Sequence, residues 1–177
     1  MRKLLFILII MFSFSEGVQS QTISTFAGNN INAIFIGTPS NIAQLSMPWG
    51  VRFGRNGKLI ISDASNSVIR SYDTITGIVT RIAGTGVSGY NGDNGPATSA
   101  QFGCAGSGIA TDTSGNIYFP DINYSVVRKI NSSGIITTIA GSTSGVAGYS
   151  GDGGPANLAL LTLPFDIITD KAGNIYI

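Results

Sequence analysis

The sequence contains no histidine, and its single glutamate, Glu16, lies within the first 20 residues. Histidine is the commonest general base in enzymes and a principal zinc ligand, and glutamate is a frequent catalytic acid of raised pKa. Residues 21–177 therefore lack the usual groups for zinc-dependent or acid–base catalysis. This absence argues against an enzyme whose site lies wholly within this segment, and we predict no cofactor for it.

Cysteine and charge are equally scarce. Cys104 is the only cysteine, so the chain can form no internal disulfide, and without a histidine partner we interpret the thiol as a semi-buried filler. Charged residues make up 11% of the chain, and basic and acidic residues balance once the first 20 residues are set aside. Without a basic surplus there is no electrostatic footprint for phosphates, so we expect no nucleic-acid partner.

The N-terminus has the pattern of a secretory signal peptide. Arg2 and Lys3 precede an apolar run (4–14), and a polar stretch follows that ends in "VQS". An apolar run this short cannot cross a bilayer as a lasting anchor, which needs about 20 residues. We therefore expect residues 1–20 to be cleaved and the mature chain to begin near Gln21. The protein would then be secreted, extracellular or periplasmic, with no remaining membrane span.

The rest of the chain is an array of repeats. The stretch "GKLIISDASNSVIRSYD", which begins at 57, returns as "GNIYFPDINYSVVRKIN" from 115, an offset of 58 residues, and "GNIYI" opens a third copy at 173. The glycine-rich stretches "YNGDNGPA" (90–97) and "YSGDGGPA" (149–156) recur at nearly the same spacing. Self-similarity at a fixed period is the signature of a repeat architecture.

Each repeat has the pattern of four short strands. In residues 48–84, the runs "GVRF", "KLIISD", "SVIRSY" and "IVTRIA" are rich in β-branched residues and end at Gly, Asn or Asp, which suit tight turns. Residues 106–141 follow the same plan, with a first strand expected over "GIATD" (108–112). One small sheet cannot bury both of its faces, so the sheets must stack. The pattern predicts an all-β protein, a β-propeller with blades that are four-stranded antiparallel meanders.

The succession "GYSGDGGPA", "GNIY", "VVRK" and "ITTIAG" resembles the NHL repeat, a variety of propeller blade. The resemblance implies an NHL-type propeller segment over 21–177, with blades at 48–84 and 106–141, a partial blade at 164–177 and a closing strand at 22–28. Propellers close with about four to eight blades, so the ring in this chain is incomplete. We expect the chain to be a piece of a longer protein, or partners to complete the ring.

The sequence departs from the repeat pattern in two places. The first connection between blades (29–47) lacks the "GDGGPA" core. Asp166 stands where the other repeats have Gly50 and Gly108. One position earlier, Trp49, Ser107 and Phe165 are equivalent residues at the start of the innermost strand.

Candidate binding residues are expected on one face of the propeller. The turns of a meander alternate between two faces, so the connections between blades share a face with the turns after each second strand. In propellers that this chain resembles, ligands usually bind there. Aromatic side chains and a carboxylate at a channel mouth suit recognition, although packing between blades is an equally simple explanation. The candidate ligand-binding residues are Trp49, Asp63, Asp121, Tyr124, Phe165 and Asp166.

The glycine-rich motif allows two interpretations. In the first, Asp93 and Asp152 accept hydrogen bonds from nearby backbone N–H groups, and Pro96 and Pro155 each open a helical turn. In the second, the two aspartates help to bind calcium, which favours oxygen ligands. Each motif offers one carboxylate where a calcium loop usually has several, and this favours the scaffolding role. Arg70 and its repeat equivalent are interpreted as braces between strands.

These observations favour a secreted or cell-surface propeller that binds a protein, peptide or glycan through its loop-rich face. The family resemblance also raises the alternative of an enzyme, a lyase or a lactone hydrolase, with catalytic residues outside this segment. A structural module of a larger surface protein is a third possibility.

Overall fold

The computed structural model describes residues 38–39, 43–142 and 146–177. The predicted signal peptide (1–20) and closing strand (22–28) lie outside the described residues, as does most of the first connection. In the part of the chain that is described, no helix is long and apolar enough to cross a membrane.

The first sheet is an antiparallel meander in which each strand pairs with the next along the chain. Its four strands are β2 (Pro48–Phe53), β3 (Leu59–Asp63), β4 (Val68–Tyr72) and β5 (Ile78–Ala83). A short strand, β1 (Thr38–Pro39), extends the sheet by pairing antiparallel with β5. The central strands β3 and β4 are buried along their whole length, as their runs of Ile and Val favour.

The second sheet repeats this plan. Its strands, in chain and spatial order, are β6 (Ala110–Thr111), β7 (Ile117–Asp121), β8 (Val126–Ile130) and β9 (Ile136–Ala140). An antiparallel pair, β10 (Ile168–Thr169) and β11 (Ile175–Tyr176), belongs to the third copy of the repeat.

An apolar core joins the first two sheets face to face. The rings of Phe102 and Phe119 lie within it, 4.9 Å apart between centroids and inaccessible to solvent. Burial of one such side chain contributes roughly 1.5–3 kcal/mol. The surrounding side chains come from both sheets and from the connection between them: Ile60, Ile69, Ala83, Ala97, Ala100, Ala105, Ile109, Ile130 and Ile136. The sheets therefore stabilise each other, as the repeat pattern requires.

The innermost strands, β2, β6 and β10, contact one another at equivalent positions of the repeat. The Thr111 hydroxyl donates to the Phe53 carbonyl (3.3 Å) and the Thr169 hydroxyl donates to the Thr111 carbonyl (3.1 Å), each across 58 residues. This close approach explains the glycine at Gly108, where a Cβ atom would lie 2.3 Å from the backbone nitrogen of Ile167. Only glycine fits because the next strand occupies the space of a side chain.

The predicted fold class is confirmed: the described residues form an all-β propeller segment built from four-stranded antiparallel sheets. One strand is shorter than expected. The sequence predicts a strand over 108–112, whereas β6 contains only Ala110–Thr111. The physical reason is that the Gly108 N–H donates to the Phe165 carbonyl of the next repeat (3.2 Å) and not to its own sheet.

Candidate functional site

Two aromatic side chains from different repeats meet where the innermost strands begin. The ring centroids of Trp49 and Phe165 are 5.5 Å apart, with the planes inclined at 46°. Both remain accessible, Trp49 at 40% and Phe165 at 52% exposure. Ser107, their equivalent in the repeat between them, donates its hydroxyl hydrogen to the Phe165 carbonyl (3.3 Å). We call Trp49 and Phe165 the aromatic rim.

Apolar exposure continues next to the aromatic rim. Met47 and Leu163 occupy equivalent positions two residues before Trp49 and Phe165, and they are 55% and 61% exposed. Both have left-handed backbone conformations, with φ of 49° and 46°, which a residue with a Cβ adopts at some cost. Neither residue was among the predicted candidates, although their shared spacing from the aromatic pair was a usable signal. Neighbouring exposed apolar side chains are typical of binding surfaces.

Asp166 adds a carboxylate directly after Phe165. The side chain is exposed, and its Oδ1 accepts a hydrogen bond from the Ile167 N–H (2.8 Å). None of the ion pairs in the described parts of the chain involves Asp166. Its charge is therefore available to a ligand at the aromatic rim.

Asp63 is buried at the end of β3 and bonded by the protein itself. Its carboxylate accepts hydrogen bonds from Arg70 Nε (2.6 Å), Asn66 Nδ2 (2.9 Å) and the Ser46 N–H (2.7 Å). The Asp63 and Arg70 side chains are both 0% exposed. Asp63 thus joins β3, β4 and the preceding connection, and a ligand in solvent cannot reach its carboxylate in this conformation.

Asp121 occupies the equivalent position in the second sheet but has different partners. Both of its carboxylate oxygens lie 3.1 Å from the Gly103 nitrogen, which donates to them. Burial raises the pKa of Asp121 to about 6, against the opposing effects of the Gly103 hydrogen bond and the Arg128 charge. The residue is 0% exposed, so this carboxylate is also inaccessible.

Tyr124 belongs to a cluster between the second sheet and the connection that precedes it (85–105). Its ring stacks on that of Tyr90, with centroids 5.6 Å apart and planes at 27°. The Arg128 guanidinium lies 5.2 Å from the Tyr90 centroid, and the Tyr90 hydroxyl is 3.0 Å from the Thr138 hydroxyl. The structure therefore brings Trp49, Phe165 and Asp166 together and gives Tyr124 a different partner.

The aspartate of the first glycine-rich motif binds the arginine of the following sheet. Asp93 Oδ1 accepts from Arg128 Nη2 at 2.8 Å, and the Arg128 side chain is 0% exposed. The expected hydrogen bonds from backbone N–H groups to Asp93 are not formed among the described residues, so that prediction is wrong. A buried guanidinium needs a counter-ion and offers a stronger hydrogen bond than a backbone amide.

The prolines of the motif agree with the scaffolding interpretation. Pro96 and Pro155 precede the predicted helical turns, which are 3₁₀ turns at Ala97–Ser99 and Ala156–Leu158. Asp152 is exposed. Across residues 43–142 and 146–177, no three acidic or cysteine side chains are grouped as metal ligands. Calcium binding by Asp93 and Asp152 stays an untested alternative.

Cys104 is half-buried beside Asp121. Burial raises the pKa of the thiol, and the nearby carboxylate raises it further. Because the thiolate is the reactive form, a raised pKa makes this cysteine a poor nucleophile.

Comparison with known proteins supports the fold. No family model matches the chain. Over 87 residues it is 31% identical to Protein SUPPRESSOR OF QUENCHING 1, chloroplastic, from Arabidopsis thaliana; this match covers 49% of the chain and 8% of that protein.

Two solved structures from Bacteroides are similar to the described fold. A structural-genomics protein of unknown function from Bacteroides thetaiotaomicron superposes with a TM-score of 0.65 at 22% identity, covering 78% of this chain and 34% of the other. An auxiliary nutrient binding protein from Bacteroides ovatus gives a TM-score of 0.58 at 24% identity, covering 72% and 33%. The chain thus spans about a third of each structure, and at these identities the likeness concerns the propeller fold alone.

Proposed function

We propose that the protein is a secreted NHL-type β-propeller that binds its ligand at the aromatic rim. In this proposal residues 1–20 are a cleaved signal peptide, residues 21–177 are a propeller segment, and the ligand is a protein, peptide or glycan. The single observation that carries the proposal is the exposed contact between Trp49 and Phe165. Large apolar rings that remain accessible are costly to leave in water and suit a ligand with a flat apolar face.

Three further features support a binding role. Asp166 provides a carboxylate without an ion-pair partner in the described structure, next to the two rings. Met47 and Leu163, two residues before Trp49 and Phe165 in the sequence, are further exposed apolar side chains. The propeller fold is also that of a protein named as an auxiliary nutrient binding protein, so the fold is compatible with ligand binding.

Trp49 gives a direct test because it is the only tryptophan in the sequence. Ligand at the aromatic rim should change the part of the fluorescence emission that a Trp49→Phe variant loses, and a panel of oligosaccharides and peptides can be titrated against the protein. We expect Phe165→Ala to weaken binding at least about tenfold, the loss expected for removing one central aromatic contact. Ile75→Ala is the matched control, since Ile75 is 94% exposed on a distant turn and should leave affinity unchanged. Equal affinity in wild type and Phe165→Ala would contradict the proposed site.

A further inference from the structure

A cavity lies at the end of the innermost strands that is opposite to the aromatic rim. The turns that follow these strands in all three repeats line an open, solvent-exposed depression of about 420 Å³, a volume within the range of roughly 300–1,000 Å³ that is typical of small-molecule sites. Arg52, Arg55 and Lys171 line it. We call these three residues the basic mouth. It is distinct from the aromatic rim, because Trp49 and Phe53 lie at opposite ends of β2, roughly 13 Å apart at about 3.3 Å per residue.

The basic mouth forms where the first repeat departs from the others. Arg52 stands where the other repeats have Ala110 and Ile168, and Gly54 stands where both have aspartate. The first replacement adds a cation to the cavity and the second removes a carboxylate. A residue that serves the scaffold recurs in every repeat, whereas a residue that serves a ligand is needed only where the ligand lies. These departures make the first repeat the most basic part of the cavity.

The carboxylates that line the cavity are already bound within their own turns. Asp112 accepts hydrogen bonds from Asn116 Nδ2 (2.6 Å) and the Tyr118 hydroxyl (2.8 Å). Asp170 accepts the equivalent two bonds in the third repeat. Burial acts to raise the pKa of Asp112, but these hydrogen bonds outweigh it and hold the pKa below its ordinary value. Both carboxylates therefore stay ionised and accept hydrogen bonds from local neutral donors, so they offset part of the positive charge of the cavity.

The cations are less completely occupied. The Arg55 guanidinium donates to the Thr113 carbonyl. Arg52 and Lys171 are exposed, and within the described chain they form no ion pair. Three cations and two carboxylates thus line the cavity, which leaves one net positive charge and two cations without a direct ion-pair partner in the described structure. The electrostatic free energy of this arrangement falls when an anion enters it.

We propose that the basic mouth binds a small organic anion, one that carries a carboxylate or a phosphate group, through Arg52 and Lys171. A guanidinium pairs with either group through two parallel hydrogen bonds, and an ammonium adds a point charge. Arg55, which donates to the Thr113 carbonyl, also lines the cavity. This proposal does not depend on ligand binding at the aromatic rim.

Calorimetric titration of the full-length gene product with D-glucuronate, D-glucose and inorganic phosphate tests the proposal. Ionic strength is kept equal with NaCl, and concentrations reach about 50 mM so that Kd values near 1 mM are measurable. Glucuronate or phosphate should bind, and glucose, which has a hydroxymethyl group in place of the carboxylate, should not. The variant Arg52→Gln/Lys171→Gln should weaken binding at least about tenfold. Both side chains are exposed, so this variant should fold normally.

Lys129→Gln removes one positive charge from another part of the second sheet and serves as the control. It should bind the anions with wild-type affinity. The proposal is overturned if neither anion binds wild type, if glucose binds as well as glucuronate, or if the double variant keeps wild-type affinity. An equal loss of affinity in Lys129→Gln would also overturn the proposal, because the weaker binding would then follow from the net charge of the protein and not from this site. Trp49 fluorescence should stay unchanged during these titrations, which separates this site from the aromatic rim.

Discussion

Replacing Asp93 with alanine tests the role of the glycine-rich motif. Without Asp93 the Arg128 guanidinium would stay in a fully buried position with only the Asn91 carbonyl at 3.1 Å and the Gln101 carbonyl at 3.5 Å as acceptors. Its Nε already has no partner within the described structure. Removing one member of a buried ion pair costs about 3–5 kcal/mol. The Asp93 side chain is 32% exposed, so water can partly replace it, and we expect about 3 kcal/mol.

Urea denaturation of the full-length gene product at pH 7 measures this cost as a fall in the unfolding midpoint at constant m-value. Ser99→Ala, an exposed change in the following turn, should stay within about 0.5 kcal/mol of wild type. Asp93→Ala should cost little in an Arg128→Met background, because the buried charge is then absent. A loss below about 1 kcal/mol for Asp93→Ala alone would refute the ion-pair argument. If a calcium chelator instead destabilises wild type and leaves Asp93→Ala unaffected, the motif binds metal.

Three further predictions concern a close backbone contact, a buried carboxyl group and the N-terminus. Gly108→Ala should destabilise the fold by at least about 2 kcal/mol, since the new Cβ would lie 2.3 Å from the Ile167 nitrogen; an unchanged melting temperature would contradict this close packing. In the folded protein the pKa of Asp121 is raised from 3.8 to about 6. The fold therefore favours the protonated carboxyl group, and the stabilisation from this group is complete below pH 4 and is lost as the pH rises through 6. The free energy of unfolding should therefore fall by about 2–3 kcal/mol between pH 4 and pH 7 in wild type but not in Asp121→Asn. Equal pH dependence of the two proteins would contradict the raised pKa of Asp121. Mass spectrometry of the exported protein should find an N-terminus near Gln21, and a retained Met1 would disprove signal cleavage.

The sequence predicted the architecture well because the repeat is visible in the residues themselves. The stretch "GNIY" occurs at 115–118 and 173–176, and "IAG" occurs at 82–84 and 139–141, so the same strands are placed twice and turn residues separate them. Equivalent positions are also enough to group Trp49 with Phe165, since both hold the same position in the repeat. The strand over 108–112 was overestimated because its backbone bonds to the next repeat, a contact that local propensity does not encode.

The partners of buried charges could not be predicted in the same way. Asp63 and Asp121 hold equivalent positions, yet Asp63 binds Arg70 directly while Arg128 binds Asp93. The difference arises because the connection before the first sheet has no aspartate that matches Asp93, so Arg70 must find its counter-ion within its own sheet. Such choices depend on which groups compete in three dimensions.

The hydrogen bonds between innermost strands join each threonine to the carbonyl one full repeat away. Each of these hydrogen bonds joins one position of a repeat to the same position in the neighbouring repeat. Loss or duplication of a whole 58-residue repeat therefore leaves equivalent donors and acceptors next to each other. An insertion of a few residues within a strand has no such protection, because it changes the register with both neighbours at once. Genes of this kind should therefore vary by complete units and by the lengths of their surface turns, while strand lengths stay constant.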